Sequence, residues 1–210
     1  SAASVQQALD TLDEVLDILA ADPLVYAMAS NDPADFSYIK RLEDSDQLEL
    51  TFQHLRKLSG VAQIRLYVDN GYLYTSGRSS IMQAGEAAGS GWYEAVTGGG
   101  GRSWFAPADL SDQPEAERQR FAAMRVIYNP RAVLEPLAIL RADTDAAYIL
   151  QYLNAPPVVE NGTLMLLRGD QVLCASEGAR AAEEWVDLAG RIPAPGGGWE
   201  PVEWEGRRYY

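Results

Sequence analysis

The chain has 210 residues, of which 47% are hydrophobic, and it carries 17 Lys plus Arg against 30 Asp plus Glu for a formal charge of -13. That is material for one large globular domain or two small ones, and a surface so acidic repels a phosphate backbone unless its cations gather on one face. Nucleic acid is therefore not an expected partner.

Two scarce side chains narrow the chemistry further. Cys174 is the single cysteine and His54 the single histidine, which excludes an internal disulfide, a thiolate zinc site, a CxxC pair and every two-histidine metal motif. A Ser-His-Asp relay has one candidate base. No catalytic residue, metal or cofactor is expected, and the chain is not read as an enzyme. It lacks a run of about 18 apolar residues that could span a bilayer and a charged, then apolar, leader at Ser1-Ala2-Ala3. It reads as an excised soluble piece of a larger protein.

In chain order, Val5, Leu9, Leu12, Val15 or Leu16, and Leu19 recur at helical spacing among Asp10, Asp13, Glu14 and Asp17, predicting one amphipathic helix over 3–29. Asn31-Asp32-Pro33 ends it. Shorter helices are predicted over 35–42 and 45–58, the latter capped by Ser45 or Asp46 and closed by Gly60. The period then drops to 2: Ile64, Leu66 and Val68 alternate with Arg65, Tyr67 and Asp69, and Asn70-Gly71 is a strong hairpin signal, with a return arm at 72–77. A short helix is predicted over 91–96 and stopped by Gly98 to Gly101. Trp104 opens an edge strand, 105–119 form a charged loop, and 120–128 and 133–142 are strands, about five in all. A helix follows over 143–153, and Asn154-Ala155-Pro156-Pro157 is the predicted linker. A second, smaller module repeats the order: strands at 163–168 and 171–176, a helix at 179–188, and a hairpin at 202–210 whose last strand lacks a partner. The fold class is α+β: an N-terminal helical stalk (1–60), a module with its connecting helix (61–155), and a truncated module (156–210), each module an antiparallel sheet with flanking helices.

This order of elements resembles the double Cache, or tandem PAS-like, sensor domain. Ile64-Arg65-Leu66-Tyr67-Val68-Asp69-Asn70-Gly71, Gly91-Trp92-Tyr93-Glu94-Ala95, Ser103-Trp104 and Ala123-Met124-Arg125-Val126-Ile127-Tyr128 look most like the ectodomain of Gram-positive sensor histidine kinases. The resemblance implies an extracytoplasmic, ligand-sensing domain held by a membrane helix on each side. A chemoreceptor ectodomain, or a non-catalytic binding protein, is the alternative. The amino-acid-binding branch carries Arg-x-Trp-Tyr on its pocket helix and an acidic residue after the last strand. Trp92, Tyr93 and Asp143 match, whereas Ser90 stands in place of the carboxylate-gripping arginine.

A small-molecule pocket needs an aromatic wall with a few inward polar groups. Tyr67 and Tyr74 on facing hairpin arms, Trp92, Tyr93, Trp104, Arg125 and Asp143 supply them. For Arg125 the competing reading is an outward residue on a wet sheet face, for Trp92 and Tyr93 core packing, and for Asp143 a helix N-cap. With Ser90 in the arginine's place, a neutral polar ligand such as a sugar, or a cationic amine, is expected ahead of an amino acid. A partner protein is the other candidate. The stripe Val5, Leu9, Leu12, Leu16, Leu19 is read as a homodimer face. Elsewhere, His54 reads as partly exposed, Cys174 as a small buried hydrophobe, Asn161-Gly162-Thr163 as a turn, and Asp109, Asp112, Glu115 and Glu117 as a solvated loop.

Overall fold

In a computed structural model of the chain, the structure describes residues 2–59, 61–99, 101–105, 107–110, 112–115, 119–129, 135–153, 165–168, 171–175, 202–204 and 207–209. The chain divides into a unit of residues 3–149 and a unit carrying 150–210. The fold class is α+β, as the change of hydrophobic period predicts.

The opening segment is helical but broken once. Helix α1 (Ala2–Ala21) stops where Pro23 enters, and Asp22 starts α2 (Pro23–Ser30) by accepting from Leu24 N–H at 2.8 Å. Proline has no N–H to give and pre-sets the first helical turn, so it begins α2 and cannot continue α1. The two helices predicted over 35–42 and 45–58 are instead one, α3 (Tyr38–Ser59). Ser45 does not cap it. Its hydroxyl donates back to Arg41 C=O at 2.7 Å and accepts from Tyr74 N–H at 3.0 Å, the bonding of a residue inside a helix.

A five-stranded sheet follows, ordered β2-β1-β5-β4-β3, with β1 Gln63–Val68, β2 Ile81–Gln83, β3 Arg102–Phe105, β4 Arg120–Tyr128 and β5 Pro136–Asp145. Between β2 and β3 lie α4 (Ala84–Ala87) and α5 (Gly91–Gly98), and α6 (Ala146–Leu153) follows β5. The hairpin predicted at Asn70-Gly71 is absent. The antiparallel partner of β1 is β5, and its other edge pairs in parallel with β2, Leu66 against Ile81, so the sheet is mixed and not the antiparallel sheet expected from sequence.

The segment from Gly71 to Ser80 lies on α3, whose polar side chains satisfy its backbone. Arg41 Nε donates to Tyr72 C=O at 3.1 Å and its Nη2 to Gly71 C=O. Glu49 accepts from Ser80 N–H at 3.1 Å and from both serine hydroxyls of 79 and 80. With Tyr72 C=O and Tyr74 N–H bonded by side chains of α3, this segment is held along the helix and not against a strand. Gly71 still makes the tight turn, at φ 67°.

Both faces of the sheet are covered, so β4 is buried almost throughout and does not show a wet side. One face packs on α1 to α3, where Ala123, Leu140 and Ala142 meet Leu12, Leu16 and Phe52. The other face, with Tyr67, Met124, Val126 and Ile139, packs under α5 and the 107–110 turn. The stripe read as a dimer face is spent here: Val5, Leu12, Leu16 and Leu19 are all buried against their own chain, and Leu9 partly so. Pairing two protomers through it would open the core. Leu58, placed by spacing on the apolar face of α3, is 86% exposed, and His54 is exposed.

In the second unit β6 (Met165–Arg168) pairs antiparallel with β7 (Gln171–Ala175), placing Cys174 opposite Leu166, and β8 (Val202–Trp204) pairs with β9 (Arg207–Tyr209). These are the predicted strand positions. The linker at 154–157, the 161–163 turn, the helix at 179–188, and Gly60, Gly100 and Glu117 lie outside the described residues.

Candidate functional site

The sequence Leu140-Arg141-Ala142-Asp143 in β5 decides the site. Side chains alternate along a strand, so Leu140 and Ala142 join the α1 to α3 core while Arg141 and Asp143 share the face under α5. Both are 0% exposed, and Arg141 Nε donates to Asp143 Oδ1 at 2.8 Å. Moving two charges out of water costs several kcal/mol per ion unless geometry and further bonds compensate. The Arg141 guanidinium lies 5.5 Å from the ring centroid of Trp92, within cation–π range. Trp92, 1% exposed on the inner side of α5, has ring neighbours Tyr67 at 5.2 Å and Tyr93 at 5.9 Å.

The flanking strands bring two further arginines. Register sets Gln63 of β1 and Ala122 of β4 beside Asp143, and Arg65 beside Arg141. Gln63 Oε1 accepts from Arg65 Nη2 and from Arg120 Nη1, each at 2.9 Å, and Arg120 Nε is 3.6 Å from Asp145. Across the layer, Asp112 accepts from Gly91 N–H at 3.1 Å, tying the loop after the 107–110 turn to the start of α5. A bond from Gln113, joined by that backbone bond, holds the Asp112 carboxyl below its usual range.

Burial pushes the Asp143 carboxyl up, outweighing the pull of Arg141, Arg65 and Arg120 in the other direction. The acceptor Asp143 Oδ2 and the donor Trp92 Nε1 are among the buried atoms of this layer that have no hydrogen-bond partner among the described residues. An unmet buried polar atom costs about 1–3 kcal/mol, and each calls for an explanation. Next to the layer, an open cleft of about 620 Å³ is lined by Glu115, Gln119, Asp145 and Ala147. Asp145 lies two residues beyond Asp143 on the same strand face, so the cleft adjoins the outer end of the buried layer.

Of the residues singled out from sequence, Tyr67, Trp92, Tyr93 and Asp143 come together. Asp143 is not an N-cap: β5 runs to Asp145 and α6 begins at Ala146. Tyr74 is elsewhere, its ring against Tyr38 and under Arg41, because the expected hairpin arm lies on α3. Arg125 is on the opposite sheet face, where it pairs with Asp17 of α1. Trp104 is placed by its backbone opposite Ala123, and its side chain lies outside the described residues. The residues missed are Gln63, Arg65, Arg120 and Arg141. Arg141 could have been found, since an arginine two residues before an aspartate in an apolar strand shares its face.

Among the described residues, no group of three His, Cys, Asp or Glu side chains is placed to hold a metal ion, and no helix is long and apolar enough to cross a membrane. Compared with protein-family models, curated proteins and solved structures, the chain matches none.

Proposed function

We infer that the chain is the extracytoplasmic signal-sensing domain of a membrane-bound sensor histidine kinase, and that it reads a small polar ligand on the sheet face beneath α5. One observation carries the reading: a fully buried Arg141–Asp143 pair under Trp92, in which the acceptor Asp143 Oδ2 and the donor Trp92 Nε1 have no hydrogen-bond partner among the described residues. Natural cores seldom bear such a cost without a use for it, and polar groups converging in an aromatic setting are what a ligand site requires.

The α+β class, with a sheet carrying helices on its faces, agrees with the resemblance, while the parallel β1–β2 pairing departs from the antiparallel module it implies. Fold likeness raises the reading but leaves the ligand to the site itself. The second unit is assigned as a smaller module of the same kind on the strength of its two hairpins. A chemoreceptor ectodomain would use an identical input module, and the output domain distinguishes the two.

The test is a thermal-shift screen of residues 1–210 against sugars, amino acids, amines and organic acids. A hit that loses its shift on Trp92→Ala supports the site. A hit indifferent to both Trp92→Ala and Arg141→Met moves it elsewhere.

A further inference from the structure

Helix α3 carries apolar side chains on two sides. Leu48 and Phe52, on its inner face, are buried in the core of their own chain. On the outer face Ile39, Glu43, Asp46, Leu50, His54 and Lys57 recur at three- and four-residue spacing, and all six are exposed. At 3.6 residues per turn they fall within about 80° of the helix circumference. Ile39 is 66% exposed, Leu50 49%, and Leu58, on the border of this stripe, 86%. A surface helix ordinarily turns one apolar stripe to its core and a polar face outward. A second apolar stripe, in the open, marks a contact surface.

The charges along the stripe specify what covers it. Glu43 and Lys57 stand seven residues to either side of Leu50, and Asp46 and His54 four. A two-fold axis at Leu50, between antiparallel helices, sets each residue before it against the one equally far after it in a second copy. Leu50 then meets Leu50, Glu43 meets Lys57, and Asp46 meets His54, each of the last two contacts occurring twice. Parallel helices would set like charge against like at the same positions. Among the described residues Glu43, His54 and Lys57 have no ion pair, and Asp46, 2.7 Å from Arg78, keeps its side chain 61% exposed. Copies of a chain with a net charge of -13 repel one another, so self-association requires local pairing of this kind.

We propose that two copies of the chain associate through their outer α3 faces, antiparallel about an axis at Leu50. This surface takes the place of α1, the dimer face expected from sequence, whose stripe is buried. It is independent of the ligand reading. The 22 residues of α3 span about 33 Å, a contact below standard size, so free chains associate weakly.

Sedimentation equilibrium of the 1–210 chain tests the proposal. The weight-average mass rises above 23.0 kDa as the concentration approaches about 1 mM, and high salt lowers it again. Glu43→Lys and Lys57→Glu each weaken the dimer by about tenfold, because every substitution counts twice. The double variant recovers the parent affinity. Both side chains are exposed, so these changes leave the fold intact. In a Cys174→Ser background, oxidation links Leu50→Cys to itself and Glu43→Cys to Lys57→Cys, while Glu43→Cys alone stays unlinked.

A mass that stays at 23.0 kDa, with no Leu50→Cys cross-link, overturns the proposal. A dimer indifferent to both Glu43→Lys and Lys57→Glu overturns it as well, since its contact then lies elsewhere. Glu43→Cys linked to itself overturns the antiparallel arrangement in favour of a parallel one.

Discussion

Arg141 and Asp143 form a buried pair whose members are worth more together than apart. Asp143→Ala leaves a fully buried guanidinium without its carboxylate and should cost about 3–5 kcal/mol in urea unfolding. The double variant Arg141→Met with Asp143→Leu, which replaces the pair by apolar volume, should cost far less than the two single changes summed. Additive losses would show that the pair is not coupled. The titrations of two buried carboxylates run in opposite directions. Glu49 is pushed up by burial, but bonds from Ser79 and Ser80 outweigh this and hold it below its ordinary value of 4.5. Its contribution is therefore present above that value and lost as pH falls through the lower folded one. Asp143, held above its ordinary value of 3.8, favours the folded state at low pH and loses that contribution as pH rises through its folded value. Melting temperature measured across acid pH should accordingly fall less steeply in Glu49→Gln than in the parent below pH about 4.5. An unchanged slope would remove Glu49 as its cause.

At the scale of elements, α1 is tied to the outer strands by charge. Arg102 and Arg125 face each other across β3 and β4, an unfavourable like-charge pair, and Asp13 and Asp17, one turn apart on α1, neutralise it, Asp13 at 2.8 Å from Arg102. These groups are largely solvated, so Asp17→Asn should cost no more than about 1 kcal/mol and less at high salt. A loss that does not diminish with salt would point to packing instead. The turn before β3 is less tolerant. Gly101 has φ 86°, and an added Cβ would lie 2.7 Å from the Tyr128 ring, so Gly101→Ala should destabilise by more than about 1 kcal/mol, measured by urea unfolding. The same elements show what sequence patterns can and cannot reveal. Helical periodicity at Val5 to Leu19 and alternation at Ile64 to Val68 are local signals, and those elements stand where predicted. The hairpin after Asn70-Gly71 fails because Arg41, Ser45 and Glu49 bond a segment about thirty residues away, and no local rule carries that. The site was half legible for a similar reason: Trp92 and Asp143 stood out as residue types, but the convergence of Arg65 and Arg120 depends on β5 lying between β1 and β4.

At the scale of the whole molecule, the helices of the first sixty residues and the sheet share one core, so a change on the α5 face can bear on α1 through five strands packed between them. Strand β4 contacts both sides: Met124 and Val126 lie under α5, while Ala123 and Ile127 lie against the helices. A ligand present at 100 times its dissociation constant stabilises the fold by about 2.7 kcal/mol, which for a domain of this size raises the melting temperature by roughly 5–10 °C. The central claim is that such a ligand is held beneath α5. Hydrogen–deuterium exchange of the 1–210 chain, with and without the strongest hit at saturation, tests it most directly. The account predicts slowed exchange in α5, in the 107–113 loop and around Arg141 to Asp143, with a smaller effect along α1. Slowed exchange confined to residues 150–210, or to α3 and the 71–80 segment, would contradict it.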